Sequence, residues 1–216
     1  KFSSRMNLNV IRLVENLGLP GALNEGIKHI KTEWTFRFDS DDLNMVDRFE
    51  KQIRFIETNR VDVLGGQIEE FDDNGIIGRR DVPLSHSEML KRLPFRNPLN
   101  HVTVAVKTDL LIKFGYRDVQ FFEDYDLWYR LFYEKDLIVR NMADVLVKVR
   151  AGKNMINRRS GFYYAYAELR FRIITHHKSQ YKLAHWVAGI IRIFLSIVPV
   201  KVRGFIYQNK LRTPVH

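Results

Sequence analysis

The chain has 216 residues, 45% of them hydrophobic, which is enough for the core of one domain with an appendage. It contains no cysteine, so disulfide bonds, thiolate metal sites and a cysteine nucleophile are excluded. The net charge of +10 is uneven: residues 140–216 contain 15 Lys and Arg and 2 Asp and Glu, whereas the first 139 residues contain 20 and 23. This asymmetry predicts a polyanion or an anionic membrane surface as partner of the carboxyl-terminal part.

Hydrophobic periodicity and turn-forming residues predict alternating strands and helices, as in an α/β domain. We expect strands at residues 8–14, 34–38, 61–68, 102–106 and 145–149. We expect helices at residues 21–30, 47–58, 85–94, 108–115, 121–133 and 162–174. The tetrapeptide DDNG at 72–75 predicts a tight turn into an antiparallel strand, and Ser85 with Glu88 predicts a capping box.

The first strand, helix and second strand form a predicted βαβ unit, whose right-handed crossover makes the two strands parallel. The second strand belongs to the run WTFRFDSDD and ends in the carboxylates of Asp39, Asp41 and Asp42. Ligands bind beyond the carboxyl ends of such strands, and close carboxylates repel one another unless a cation or several donors lie among them. Two interpretations remain open: a Mg²⁺ or Mn²⁺ site that carries a phosphate, or an N-cap of the next helix.

A second acidic cluster lies in the run FFEDYDLWYRLFY at residues 121–133, where Glu123 and Asp124 precede an aromatic helical pattern. Carboxylates there fit proton transfer, and they equally fit ordinary capping of the helix.

Residues 183–200 are mostly apolar, interrupted by Arg192 and stopped by Pro199, with Lys182, Lys201 and Arg203 at the flanks. The stretch fits a helix that lies in a membrane interface, and it equally fits a docking helix that covers the sheet.

Five stretches together carry a resemblance to a known family. They are NLGLPGALNEGI at 16–27, RFDSDDLNMVDRFEKQ at 37–52, NPLNH at 97–101, FEDYDLWYR at 122–130 and VRAGKNMINRRSG at 149–161. In this order and spacing the chain resembles the family 2 glycosyltransferases of the GT-A fold over most of residues 8–175.

The resemblance implies an α/β fold of the GT-A, nucleotide-diphospho-sugar transferase type, with a mostly parallel central sheet flanked by helices and a helical carboxyl-terminal appendage. It divides the chain into a partial catalytic domain at residues 1–160 and a basic helical extension at 161–216, with a membrane-interface location for the extension still open. The family's first elements, which hold the nucleotide, are missing. We expect an amino-terminally truncated fragment, and the alternative is an incomplete sheet whose donor pocket lacks a wall.

The implied activity is that of a metal-dependent, inverting hexosyltransferase of cell-surface polysaccharide synthesis. It moves a sugar from a nucleotide-sugar donor, a UDP-sugar, to a saccharide or lipid-linked acceptor, with Mg²⁺ or Mn²⁺ as cofactor. The implied location is cytoplasmic, with peripheral attachment to the inner face of the plasma membrane as an expectation, and nucleic acid is not an expected partner. The alternatives are a basic module that binds nucleic acid or anionic membrane, and an inactive fold relative that docks on a membrane.

The resemblance also assigns roles to individual residues. Asp41 and Asp39 are the implied metal ligands, with Asp39 also at the ribose, and Asp124 is the implied catalytic base. The implied acceptor-side residues are Glu123, His101 and Trp128. The implied phosphate ligands are Arg158 and Arg159. For His101 and Trp128 the alternative is packing, and for the two arginines it is a solvated loop.

Overall fold

The structure is a computed structural model that describes residues 8–150, 160–179 and 182–198. Its strands are β1 (Trp34–Phe36), β2 (Leu43–Asn44), β3 (Val63–Asp72), β4 (Gly75–Arg80), β5 (Ala105–Lys107) and β6 (Val139–Arg150). Its helices are α1 (Gly18–Ile27), α2 (Arg48–Thr58), α3 (His86–Arg92), α4 (Thr108–Phe114), α5 (Glu123–Phe132), α6 (Phe162–Ser179) and α7 (Leu183–Ile197), with a 3₁₀ turn at His101–Thr103.

These strands form one mixed sheet in the order β1-β5-β3-β6-β2, with β4 paired to β3. The central strand is β3, which pairs with β5 near its start and with β4 near its end. Its other edge runs parallel to β6. The α/β class is therefore confirmed, but the mostly parallel arrangement is wrong for the described strands, among which only β3 and β6 pair in parallel. The DDNG turn explains one antiparallel pair, because a tight turn can join only antiparallel strands.

The predicted first strand at residues 8–14 is also wrong. These residues lie outside helices and strands, and Leu8, Val10 and Val14 are exposed. An apolar run becomes a stable strand only where a neighbouring strand accepts its backbone hydrogen bonds. In the described part of the chain β1 ends the strand order and pairs with β5 alone, so the predicted parallel βαβ unit is absent there.

The core covers both faces of the sheet, because successive side chains of a strand point to opposite faces. Val63 packs with residues of α3, α4 and α5, whereas the next residue, Leu64, packs with Leu146 and Val147 on the other face. The capping box of Ser85 and Glu88 and the turn before Gly75, whose φ is +122°, are confirmed as predicted.

Helix α2 is placed as predicted but buries an unexpected face. The spacing of Phe49, Ile53 and Ile56 predicts one apolar face toward the core; Ile56 packs there, whereas Phe49 and Ile53 are exposed. Arg48 and Gln52 are buried instead. Gln52 donates to the backbone oxygen of Thr103 at 2.9 Å, so α2 packs on backbone carbonyls that need polar partners.

The last two described helices pack on the same core. Phe171 of α6 stacks on Phe122 with ring centroids 4.8 Å apart, and Trp186 of α7 packs at the edge of this cluster. Among the described residues, no helix combines the length and the apolar character needed to cross a membrane.

Candidate active site

The first acidic cluster forms a turn directly after β1. The backbone N–H of Arg37 donates to Val104 at 2.9 Å, which continues the pairing of β1 with the segment before β5. The Arg37 guanidinium lies 2.5 Å from Asp39 Oδ1. The chain then turns, with the N–H of Asp42 directed at the Asp39 carbonyl. Strand pairing therefore fixes the start of the turn, and an ion pair holds Asp39.

Arg48 supports this turn from below. Its guanidinium donates to the Arg37 carbonyl at 3.0 Å, to the side chain of Asn44, and to Gln52 Oε1 at 2.9 Å. It also lies 4.5 Å from the ring centroid of Phe38. Burial lowers the pKa of Arg48 to about 10, because desolvation disfavours the charged form. A buried cation thus stabilises the backbone that carries the carboxylates.

The other two acids of the turn differ in environment. Asp42 Oδ1 accepts the backbone N–H of Arg150, at the end of β6, at 3.0 Å. Burial raises the pKa of Asp42, and the nearby charges of Asp39 and Asp41 raise it further. Asp41 is exposed at the tip of the turn. The three carboxylates are therefore close enough to feel each other's charge.

The second acidic cluster opens α5. Asp124 Oδ2 accepts a hydrogen bond from Asn97 Nδ2 at 2.8 Å. The other amide atom of Asn97 accepts the backbone N–H of Leu99 at 3.1 Å, which fixes the amide with its NH₂ group toward the carboxylate. Arg80 donates to the Asn97 carbonyl at 3.2 Å. Asp124 is thus oriented by a loop that β4 holds in place.

His101 lies beside this loop, half-buried at the start of the 3₁₀ turn. Its Nε2 lies 2.8 Å from the Tyr116 hydroxyl, and its ring meets Trp128 edge to face. Burial lowers the pKa of His101, although the charge of Asp124 acts in the opposite direction. Burial likewise raises the pKa of Tyr116. The pair is therefore neutral near pH 7.

One cavity of about 540 Å³ brings the two clusters together. Its lining includes the acids Asp39, Glu70, Glu123 and Asp124, the cations Arg37, Arg80 and Arg96, and His101 with Asn100. Carboxylates thus line one cavity from three separate segments, together with three cations. Such a cavity fits an anionic ligand together with a group that loses a proton.

Several residues that line this cavity, or that bond to its lining, were not predicted as site residues from the sequence. Glu70 and Arg80 lie on β3 and β4, where strand periodicity carries no sign of function. Asn97 belongs to the NPLNH motif, but its bond to Asp124 joins residues 27 positions apart and leaves no local trace. The sequence signal that could have identified Glu70 and Arg80 is that a charged residue is rare at an inward-facing strand position.

Four predicted site residues lie outside the cavity lining or outside the described chain. Asp41 is on the exposed turn and is not among the lining side chains. Trp128 is fully buried in the core and contacts the cavity-lining residue His101. The structure therefore gives Trp128 a packing position, and no direct access to an acceptor. Arg158 and Arg159 lie outside the described residues.

The described residues contain no group of three or more His, Asp or Glu side chains that could hold a metal ion. The acid turn nevertheless fits a divalent cation of one kind. Mg²⁺ keeps several waters and binds through one or two carboxylates together with substrate phosphates. Asp39 and Asp41 are two such carboxylates on one turn, where Asp39 is paired with Arg37 and Asp41 is exposed.

Similar proteins show the family to which this chain belongs. The family model described as Glycosyl transferase family 2 matches residues 2–119. The chain is 38% identical to an uncharacterized glycosyltransferase of Haemophilus influenzae, over 98% of this chain and 80% of that protein. It is 34% identical to the amylovoran biosynthesis glycosyltransferase AmsE of Erwinia amylovora, over 97% and 79%. It is 33% identical to the UDP-Gal:alpha-D-GlcNAc-diphosphoundecaprenol beta-1,3-galactosyltransferase of Escherichia coli, over 96% and 76%.

Among solved structures, the chain is similar to S. aureus TarS 1–349 in complex with UDP-GlcNAc. The TM-score is 0.51 at 18% identity, over 87% of this chain and 55% of that one. This likeness supports the fold.

Proposed function

Because the chain belongs to glycosyl transferase family 2, we propose that it transfers a hexose from a UDP-sugar to a hydroxyl of a lipid-linked saccharide, in the synthesis of a cell-surface polysaccharide. The observation that carries the proposal is the shared cavity of Asp39 and Asp124. The printed names of two relatives support it, since one acts in amylovoran biosynthesis and the other uses UDP-Gal and a diphosphoundecaprenol-linked acceptor.

In the proposed reaction Asp124 is the catalytic base. The acceptor hydroxyl attacks the anomeric carbon, a new carbon–oxygen bond forms, and the bond from that carbon to the diphosphate breaks on the opposite side. UDP leaves with the electron pair, and the proton goes to Asp124. The bond from Asn97 supports this role, because it occupies one carboxylate oxygen and directs the side chain.

We propose Asp39 and Asp41 as ligands of Mg²⁺ or Mn²⁺, with Asp39 also near the donor ribose. When bound, the ion neutralises negative charge on the leaving diphosphate. The pairing of Asp39 with Arg37 supports this assignment, since a charge-compensated carboxylate next to an exposed one suits a single divalent ion with a phosphate.

Cations of the cavity are proposed to bind the phosphates. Arg80 and Arg96 line it among the described residues, and Arg158 and Arg159 are proposed to assist from the following basic segment. Arginine suits this task because its planar guanidinium binds phosphate oxygens in pairs. Glu123 and His101 are proposed to contact the acceptor.

The proposal extends to the organisation of the chain. Residues 1–160 carry the catalytic site, and residues 161–216 form a basic helical extension near the membrane that contains the acceptor. The surplus of Lys and Arg in the extension supports this division.

The test measures UDP release from UDP-Gal, UDP-Glc and UDP-GlcNAc with Mn²⁺ and a GlcNAc-diphospholipid acceptor. Asp124→Asn is expected to lower kcat about 100-fold or more while donor binding persists, because a positioned base contributes roughly 10²–10⁴ in rate. Asp118→Asn is the matched control, since Asp118 is an exposed carboxylate in the segment just before α5. EDTA is expected to abolish activity, and Mn²⁺ to restore it.

Two outcomes would overturn the proposal. An Asp124→Asn variant with full transferase activity removes the base assignment. Absence of UDP-sugar binding, together with salt-sensitive binding of DNA or RNA, favours a basic binding module on the same scaffold.

A further inference from the structure

Helix α7 has an apolar face that points to solvent, whereas the apolar face of an amphipathic helix normally points to the core. Leu183, Ile190 and Phe194 are exposed to 79%, 62% and 68%. The same face also includes Val187, Ile191 and Ile197, all of them exposed. These residues recur at intervals of three and four, so they form one continuous stripe. Soluble chains rarely expose a contiguous apolar patch of this kind without a partner for it.

The inward face of α7 combines Trp186, which packs at the edge of the core, with small and polar residues. Gly189 and Ser196 are its buried residues. A Cβ on Gly189 would lie 2.5 Å from Arg172 Nε, so a glycine is needed where this arginine passes under the helix. Arg172 bonds Glu168 at 2.8 Å, and Arg192 of α7 reaches the other oxygen of Glu168 at 3.3 Å.

This buried ion network fixes the rotation of α7 about its axis. Turning the apolar stripe inward would expose Gly189 and separate Arg192 from Glu168, which removes one of the two cations that hold this buried carboxylate. That is costly in a protein interior. The outward apolar stripe is therefore a built feature of the fold.

The charge of the surrounding sequence identifies the kind of partner. Residues 160–216 contain nine Lys and Arg and a single acid, Glu168; Arg172 and Arg192 pair with that acid, which leaves seven cations for a partner surface. Because Glu168 is buried and paired, the two described helices present no carboxylate to a partner surface. An apolar stripe within a basic segment complements an anionic lipid surface, in which apolar side chains enter the acyl region and cations meet the headgroups.

The stripe is also coupled to the active-site cavity. Arg192 donates to the carbonyl of Phe95 at 2.9 Å, and the Phe95 ring meets His185 of α7 edge to face at 4.7 Å. The next residue, Arg96, lines the cavity. Helix α7 therefore sits directly beside one wall of the cavity.

We propose that the outer face of α7 docks this protein on an anionic membrane, with the helix lying in the lipid interface. At about 1.5 Å per residue its 15 residues extend roughly 22 Å, which suits a helix parallel to the surface. Docking there brings the cavity to the membrane, where a lipid-linked diphosphate acceptor resides. The choice of acceptor rests on the proposed function, whereas the docking itself is tested without donor or acceptor.

The first test measures co-sedimentation of the 216-residue chain with phosphatidylcholine vesicles, with and without about one third of anionic phosphatidylglycerol. Strong binding to the anionic vesicles is expected, weakened by salt. The double variant Ile190→Glu, Phe194→Glu is expected to bind about 100-fold more weakly, because each buried apolar side chain contributes roughly tenfold. Ile112→Glu on α4 is the matched control, an exposed isoleucine far from α7 in sequence that should leave binding unchanged.

A second measurement does not depend on a loss. The Ile190→Trp variant is expected to keep vesicle binding, and brominated lipid should quench the fluorescence of the added tryptophan. The tryptophan added in Ile112→Trp should not be quenched. Absence of vesicle binding by the natural chain, or equal binding by the double variant with an unchanged circular dichroism spectrum, overturns the proposal. So does conversion of a dimer to a monomer by the double variant, which would show that a second copy covers the stripe. These measurements use neither donor nor acceptor, so their failure would not count against the proposed transferase activity.

Discussion

Two acidic clusters of nearly equal composition, residues 39–42 and residues 123–126, are stabilised in different ways. In the second cluster Asp126 is fully buried and accepts from Arg117 Nε and Arg130 Nε, both at 2.8 Å. Asp124, two residues earlier, is directed into the cavity region by Asn97. One acid thus anchors the helix and the other is available for chemistry.

The first cluster has no such buried anchor among its acids. Asp39 is paired with Arg37, Asp42 accepts one backbone N–H, and Asp41 is exposed. The anchor is instead the cation of Arg48, which binds the backbone beneath the turn. The cations of the second cluster pair with Asp126, whereas the first cluster leaves Asp41 exposed, and we therefore propose a bound cation only for the first.

The largest expected effect separates the two acids of α5. Asp126→Ala is expected to lower the free energy of unfolding by about 3–5 kcal/mol, because it leaves the buried Arg130 guanidinium without its carboxylate. Asp124→Ala, at a half-buried position, is expected to lower it by less than about 1 kcal/mol. Urea denaturation measures both. Equal losses would contradict the division between anchor and base.

The next effect concerns the anchor of the acid turn. Arg48→Met is expected to cost about 2–3 kcal/mol of stability, since the Arg37 carbonyl and Gln52 lose a buried donor. The KM for the UDP-sugar should rise more than kcat falls, because the turn that we propose to bind the donor loosens. Arg54→Met is the matched control on the same helix, as its ion pair with Glu50 is exposed. An unchanged KM in Arg48→Met would show that the turn keeps its shape without this cation.

Sequence patterns predicted which residues line the cavity better than they predicted the contacts that hold those residues in place. Asp39, Glu123, Asp124 and His101 were all expected near one another from the order of the motifs, and they line one cavity. Each motif is a short continuous segment of sequence. The acidic motif at 39–42 therefore stays at the end of β1, and the one at 123–126 stays at the start of α5.

The parts that could not be predicted depend on contacts distant in sequence. Periodicity placed Phe49 of α2 in the core, because an apolar side chain gains more from burial than an arginine. The structure buries Arg48 instead, since the first turns of α2 meet the backbone carbonyls of Arg37 and Thr103, whereas Phe55 and Ile56 farther along the helix pack on apolar side chains. Strand direction failed for a similar reason, as it depends on which strand lies beside β1 and not on the sequence of β1 itself.

A smaller effect is expected from the hydrogen bond between Asn97 and Asp124, which has no counterpart in the first cluster. Asn97→Asp keeps the acceptor for the Leu99 N–H but replaces the donor to Asp124 with a second carboxylate. Two neighbouring carboxylates repel each other, so the acid limb of the kcat profile should move to higher pH. At pH 7 we expect kcat to fall about tenfold or less, as for one hydrogen bond to a charged group. A uniform fall with an unshifted profile would show that Asn97 has only a structural part.

The smallest expected effect belongs to Asp42, whose pKa is raised by burial and by the charges of Asp39 and Asp41. A carboxyl whose pKa is higher in the folded than in the unfolded state costs stability when both states are ionised. That cost disappears as the pH falls through the folded pKa to the unfolded one.

Asp42→Asn should therefore stabilise the metal-free protein by less than about 0.5 kcal/mol at pH 7, given screening at this partly exposed site. The gain should vanish below the unfolded pKa of about 3.9. Thermal denaturation with EDTA measures it, and Mn²⁺ should reduce the difference, because the bound cation offsets the same repulsion in the natural chain. A gain that persists in acid would mean that the introduced amide improves packing. The turn would then carry no excess of negative charge for a cation to relieve.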